Sequence, residues 1–264
     1  MLSAVCYTDY GQDPYEAMAF DEWLLSRVLS EPDLVAIRLY TWERGTITFG
    51  LNQRLEKAVD RSRLGETPLI RRITGGRALY HEPSELTYAI AARAVILEGE
   101  ESGRSVDRAV RQIAEALSSF LGHQDIESEY VRQSSARSVR PDYFHTAPCF
   151  DSRARYELVT GDRKIVASAQ RRLGPAMLQH GAIKLAGIAR HPALEAKVKQ
   201  IDQFPRLSAK RFSSLVSSFV GTVGTALGVR IDLVELTTGQ KDAISRATEY
   251  VRKNALSRRN IVKQ

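Results

Sequence analysis

Strand-like and helix-like stretches follow one another along this chain without the strict strand–helix–strand alternation that builds a doubly wound parallel sheet. That order is the tightest constraint on the fold, and it predicts an α+β layout. Asp13-Pro14 reads as a cap followed by proline in the first turn, opening a helix to about Leu29 with Ala17, Leu24, Leu25 and Val28 on one face. Residues 35–40 and 46–49 read as strands, 57–64 as a short polar helix ended by Gly65, and 69–71 as extended chain. In residues 86–91, Leu86, Tyr88 and Ile90 alternate with smaller or polar residues, the pattern of a half-buried strand.

Val106, Val110, Ile113, Leu117 and Leu121 recur at helical spacing up to Gly122. Residues 123–148 are polar, contain Pro141 and Pro148, lack a clear period and lead into Cys149; long loops of this kind are often functional. Residues 156–167 read as a hairpin about Gly161-Asp162, and 176–185 as a strand broken by His180-Gly181. A helix over 208–227 with Phe212, Leu215, Phe219 and Val223 on one side, a strand over 229–234 and a helix over 240–256 complete the chain.

Composition narrows the function classes. With 264 residues, 43% of them hydrophobic, the chain can bury a sizeable core within one domain. No apolar run is long enough to span a bilayer, and residues 1–13 lack the basic and apolar regions of a secretory leader, so a cytoplasmic protein without membrane contact is expected. The two cysteines, Cys6 and Cys149, make no disulfide framework and no CxxC, and no metal site is expected. Cys6 sits in the apolar run Ala4-Val5-Cys6-Tyr7 and reads as an inert buried thiol. A net charge of +7 favours anionic partners such as nucleotides or an acidic carrier protein. No nucleic-acid-binding motif is present.

The most informative stretch is Arg71-Arg72-Ile73-Thr74-Gly75-Gly76-Arg77-Ala78-Leu79-Tyr80-His81. Adjacent glycines after a strand make a turn whose N–H groups can face a ligand, and neighbouring arginines add fork-shaped donors. A tight turn flanked by solvated arginines fits the same residues, and spacing alone leaves both readings open. This stretch resembles the biotin/lipoate protein ligase superfamily. Gly75-Gly76-Arg77-Ala78, His81 and Glu85-Leu86-Thr87-Tyr88 are closest to the LipM-type octanoyltransferases. Cys149-Phe150, Tyr156-Glu157-Leu158-Val159, the run from Arg163 to Gln170 and Leu178-Gln179-His180-Gly181 follow that pattern in order.

The resemblance implies a mixed, largely antiparallel sheet flanked by helices, of the biotinyl/lipoyl ligase catalytic type. It implies one domain over 1–264, with 1–200 as the family core and 201–264 as a helix-strand-helix extension. It also implies transfer of an octanoyl group from acyl carrier protein to a lysine of a lipoyl-carrier protein (an H protein or a lipoyl domain) through a thioester on Cys149, with Lys164 as electrostatic partner. Arg72, Thr74, Gly75, Gly76, Arg77, His81, His180 and Gly181 are then substrate-binding, and the small Ala167 and Ser168 leave room for an acyl chain. No cofactor is expected; ATP and Mg enter only if the chain is instead an ATP-dependent lipoate ligase. Arginine at 77, where ligases carry a third glycine, argues against that. Acyl transfer between two carrier proteins is the remaining alternative.

Overall fold

Asp13 caps the first helix as its position requires, its carboxylate accepting from the N–H groups of Tyr15 and Glu16. The computed structural model describes residues 2–98, 106–130, 157–161 and 163–257. Cys149, His145 and most of the polar loop lie outside the described residues. In chain order the described elements are β1 (Leu2–Gln12), α1 (Pro14–Ser30), β2 (Val35–Trp42), β3 (Thr46–Phe49), α2 (Leu55–Ala58), β4 (Leu69–Arg71), β5 (Leu79–His81) and β6 (Leu86–Arg93). There follow α3 (Ala94–Glu98), α4 (Val106–Gly122), β7 (Glu129–Tyr130), β8 (Leu158–Thr160), β9 (Arg163–Leu173), β10 (Ala176–Ile183), α5 (Ala209–Leu227), β11 (Val229–Leu233) and α6 (Thr238–Lys253).

Eight strands form one sheet in the order β11-β1-β2-β6-β10-β9-β8-β7, and β4-β3-β5 form a second, small sheet. The large sheet is mixed: β1 runs parallel to β11 and to β2, and the remaining neighbours are antiparallel. The predicted α+β class therefore holds.

Helices α4 and α5 cover one face of the large sheet, through residues such as Ile113, Phe120, Leu215 and Phe219 packed on Leu39, Tyr88 and Val166. The other face is covered by α1 and α6, with Phe20, Leu24, Leu25 and Ile244 packed on Ala36, Ala89 and Ala91. This double cover corrects the half-buried reading of residues 86–91. The alternating small residues of β6 face a helix rather than solvent, and every residue from Leu86 to Ala92 is buried.

Two further expectations are corrected. The region 57–64 is not one helix: α2 ends at Ala58, Val59 turns inward, and Asp60 caps a separate 3-10 turn over Arg61–Arg63. β10 is not broken at His180-Gly181 but pairs without interruption with β6 and β9. Gly181 is there because a Cβ would stand 2.6 Å from the Ala167 carbonyl oxygen and 2.8 Å from the Tyr88 ring.

Candidate functional site

The pairing register builds a floor for the site. Ala167 of β9 pairs with Ala182 of β10, Ala182 with Thr87 of β6, and Thr87 with Tyr40 of β2. Paired residues share a face, so these four form one row across four strands, on the face covered by α1. The parallel row is Ala169, His180, Ala89 and Arg38. Leu79 of β5 packs on the two alanines, and Met18 of α1 lines the same narrow cleft. Thr48, Arg72 and His81 line it from the small sheet, and His180 from the large one. Ser168 borders the cleft, while its hydroxyl bonds Tyr88 at 2.8 Å.

The diglycine turn is held from several directions. Arg72 donates to the carbonyls of Gly75 at 2.8 Å and Arg77 at 2.6 Å and to the Thr48 hydroxyl at 3.1 Å. Arg71 donates to the carbonyls of Leu51, Gln53 and Leu256, its guanidinium lying over the Phe49 ring. Both arginines therefore direct their forks at backbone carbonyls rather than lying solvated beside the turn. Arg77 is itself buried. Gly76 has φ +86°, the left-handed region that suits glycine. Gly50 lies so close that a Cβ there would meet the Gly76 carbonyl oxygen at 2.0 Å. Gly50→Ala is accordingly expected to displace the turn and to lower stability by about 1–3 kcal/mol in urea unfolding.

Two buried polar chains run up to this turn and the cleft. The first starts at Asp9 and Asp21, which flank the fully buried Arg38 at 2.9 and 3.3 Å. Asp21 accepts from His180 Nδ1 at 2.7 Å, which leaves Nε2 facing the Thr74 hydroxyl at 2.7 Å. The second starts at Lys184, which bonds Glu85 and the Tyr80 carbonyl. Glu85 accepts from His81 Nδ1 at 2.7 Å and from the Trp42 indole at 2.9 Å. His81 Nε2 faces Thr48 at 2.8 Å, and its ring stacks on Trp42 at 4.2 Å. Burial would raise the Glu85 carboxyl, yet Lys184 and His81 bring it down to about 2. Burial lowers His81 despite Glu85, so the ring stays neutral and Nδ1 carries the hydrogen.

Lys164 does not line the cleft but is brought to its face of the sheet by an irregularity. Leu158 pairs with Val166 but Val159 with Lys164, so one step on β8 matches two on β9. That bulge puts Lys164 on the face opposite Val166, and hence on the face that carries Ala167. Strict alternation would have turned it away. Its ammonium is buried and donates to Glu157 at 2.5 Å.

Asp21, Thr48, Glu85, Glu157 and Lys184 were not predicted as site residues. The available signals were Asp21 four residues after Ala17 on an apolar helix face, and a lysine ending the apolar run Gly181-Ala182-Ile183-Lys184. Cys6 is buried as expected; burial, with Asp9 adding, pushes its thiol up to about 12. His191, given no role, bonds Thr67 and accepts from the Ala193 N–H. Burial, with Arg63 nearby, lowers its ring to about 4. The folded state thus binds fewer protons than the unfolded chain between about pH 6.5 and 4. Stability from His191 is present above that window and lost as pH falls through it. A melting-temperature profile from pH 7 to 4 should be shallower in His191→Asn, which keeps an acceptor for Ala193.

Among the described residues no group of three His, Cys, Asp or Glu side chains is placed to hold a metal.

The chain is similar to known proteins in sequence and in fold. The chain is 36% identical over 178 residues to octanoyltransferase LipM of Moorella thermoacetica, a match covering 66% of this chain and 62% of that protein. It is 33% identical over 197 residues to octanoyltransferase LipM of Carboxydothermus hydrogenoformans, covering 74% and 69%. The chain thus spans less than two-thirds of the length of the Moorella relative. In fold it is similar to a bipartite lipoate protein ligase from Thermoplasma acidophilum, with a TM-score of 0.69 at 16% identity over 99% of this chain and 100% of the other. A T. acidophilum structure with bound lipoic acid gives the same TM-score and identity, over 94% and 95%. The family model described as lipoyl protein ligase A/B catalytic domain matches residues 13–227, and the protein belongs to that family.

Proposed function

We propose that this protein moves an octanoyl group from an acyl carrier protein to a lysine of a lipoyl-carrier protein, through a thioester on Cys149. The observation that carries this reading is the similarity to LipM octanoyltransferases over about two-thirds of the chain. The narrow cleft, with a buried lysine on the same face of the sheet, supports it. In the first step the Cys149 thiolate attacks the octanoyl thioester carbonyl, forming a new C–S bond as the carrier's thiolate leaves and takes up a proton. In the second step the acceptor's lysine amine attacks, an amide forms, the amine loses a proton and the Cys149 thiolate departs. One thioester is exchanged for another, so the first step has little net driving requirement and no nucleotide is consumed.

Lys164 supplies positive charge beside the reacting carbonyl, where it stabilises the oxyanion of each step. The Gly75-Gly76 turn, held by Arg72 and by Thr74 on His180, forms the rim of the cleft, and the alanines of β9 and β10 form its floor. The surplus of basic residues suits two acidic carriers that dock in turn. Residues 1–264 act as one catalytic unit in which 201–264 extend the core, working in the cytoplasm. Among the described residues no helix is long and apolar enough to cross a membrane.

The test is intact-protein mass spectrometry after mixing the protein with octanoyl-carrier protein and no ATP. A hydroxylamine-labile octanoyl adduct that maps to Cys149 is expected. An active preparation that forms no adduct but ligates free lipoate with ATP would replace this reading with the ligase one.

A further inference from the structure

We infer that Tyr40 is the end wall of the cleft and sets the length of acyl chain the site accepts. This deepens the octanoyltransferase reading and rests on it for the identity of the occupant. Three features of the fold lead to it.

The first is direction. The row Ala167, Ala182, Thr87, Tyr40 crosses the sheet from β9 to β2. Lys164, the cation assigned to the reacting carbonyl, lies on the β9 side of that row. The reacting end of an acyl group therefore belongs on the β9 side, and its methyl end points along the row toward β2.

The second is the shape of the row. Its first two residues are alanines, which leave a trough under Leu79, and its last is a tyrosine. Thr87 is drawn aside by Glu85 and the Trp42 indole, at 2.9 and 2.8 Å. Tyr40 cannot swing clear, because its ring lies 4.1 Å from the Arg38 guanidinium and 5.5 Å from the Trp42 ring centroid.

The third is a polar atom out of place. The Tyr40 hydroxyl is buried and has no hydrogen-bond partner among the described residues. A hydroxyl packed into the protein interior is almost always bonded. This one is left unpaired on a residue that lines the cleft.

The dimensions agree with a medium-length chain. Three strand spacings separate Ala167 from Tyr40, about 14 Å. An extended chain advances about 1.25 Å per carbon, so eight carbons take up about 9 Å, and the end residues' own bulk fills the remainder.

The wall can be read without any transfer step, by calorimetric binding of free straight-chain fatty acids of six to twelve carbons. Affinity in the unchanged protein should rise with length to about eight carbons and then fall by at least tenfold by twelve. Tyr40→Leu should move that break to ten carbons or beyond, and Tyr40→Phe, which keeps the packing under Arg38, by about one carbon. A break at the same length in Tyr40→Phe and in a folded Tyr40→Leu overturns the inference, as does affinity that climbs steadily to twelve carbons in the unchanged protein. Should the break move as stated while no octanoyl adduct forms on Cys149, the transferase reading fails and the wall stands.

Discussion

Replacing Cys149 by alanine is expected to abolish the octanoyl adduct and to lower octanoyl transfer by about four orders of magnitude or more. Removing a covalent nucleophile takes away both of the steps into which the reaction is divided, so losses of that size are ordinary. Cys149→Ser is expected to lie close to the alanine variant, because a serine hydroxyl ionises far less readily than a thiol, whose pKa is about 8.5. Single-turnover transfer from octanoyl-carrier protein, followed by mass, measures both variants. Full transfer by the alanine variant would remove the acyl-enzyme from the mechanism while leaving the family assignment intact.

The largest expected loss of stability follows from Lys184→Met. This change strips the ammonium from the fully buried Glu85, from Glu82 at 3.6 Å and from the Tyr80 carbonyl. Breaking one side of a buried pair costs roughly 3–5 kcal/mol, because the other charge is left stranded. In a chain of this size that lowers the melting temperature by on the order of 10 °C. Calorimetry on the single variant and on Lys184→Met with Glu85→Gln separates stranded charge from lost packing. The double variant should recover part of the loss, and a simply additive result would show that the two groups act independently. Acid titration gives a second signature. The Glu85 carboxyl lies at about 2 when folded, so its contribution is present above the unfolded carboxylate range and fades as pH falls toward 2. Without Lys184 the stranded carboxylate is relieved by protonation, so the stability gap between Lys184→Met and the unchanged protein should narrow as pH falls.

Much of the scaffold was legible because its signals are local. Asp13-Pro14 marks the start of α1, β3 occupies residues 46–49 as read, and Ser208 caps α5 where the helix was placed. β1 passed unrecognised because Leu2–Gln12 makes its sense only by parallel pairing with β2 and with β11, more than two hundred residues away. The same limit applied to the site. Gly75, Gly76, His81 and His180 stood in recognisable stretches, but Asp21 bonds His180 across 159 positions and Lys184 bonds Glu85 across 99. No window of sequence carries such pairings. Nor does alternation reveal a bulge: residues 164–167 read as one arm of a hairpin, and only the pairing with β8 puts Lys164 on the face that carries Ala167.

The grip of Arg71 bears on how the chain acquires its shape during synthesis. Strands β2, β6, β10 and β9 can assemble once residue 183 has emerged. The neighbour that completes the outer side of β1 arrives only with residues 229–233. The carbonyls that receive the Arg71 backbone N–H and its Nε belong to Ala255 and Leu256. A nascent chain therefore holds the cleft floor before it holds the strand that carries the turn. Contacts so far apart in sequence form slowly. The diglycine turn is thus among the last parts of this protein to become rigid, and an intermediate halted before residue 255 would have a cleft floor but an unanchored turn.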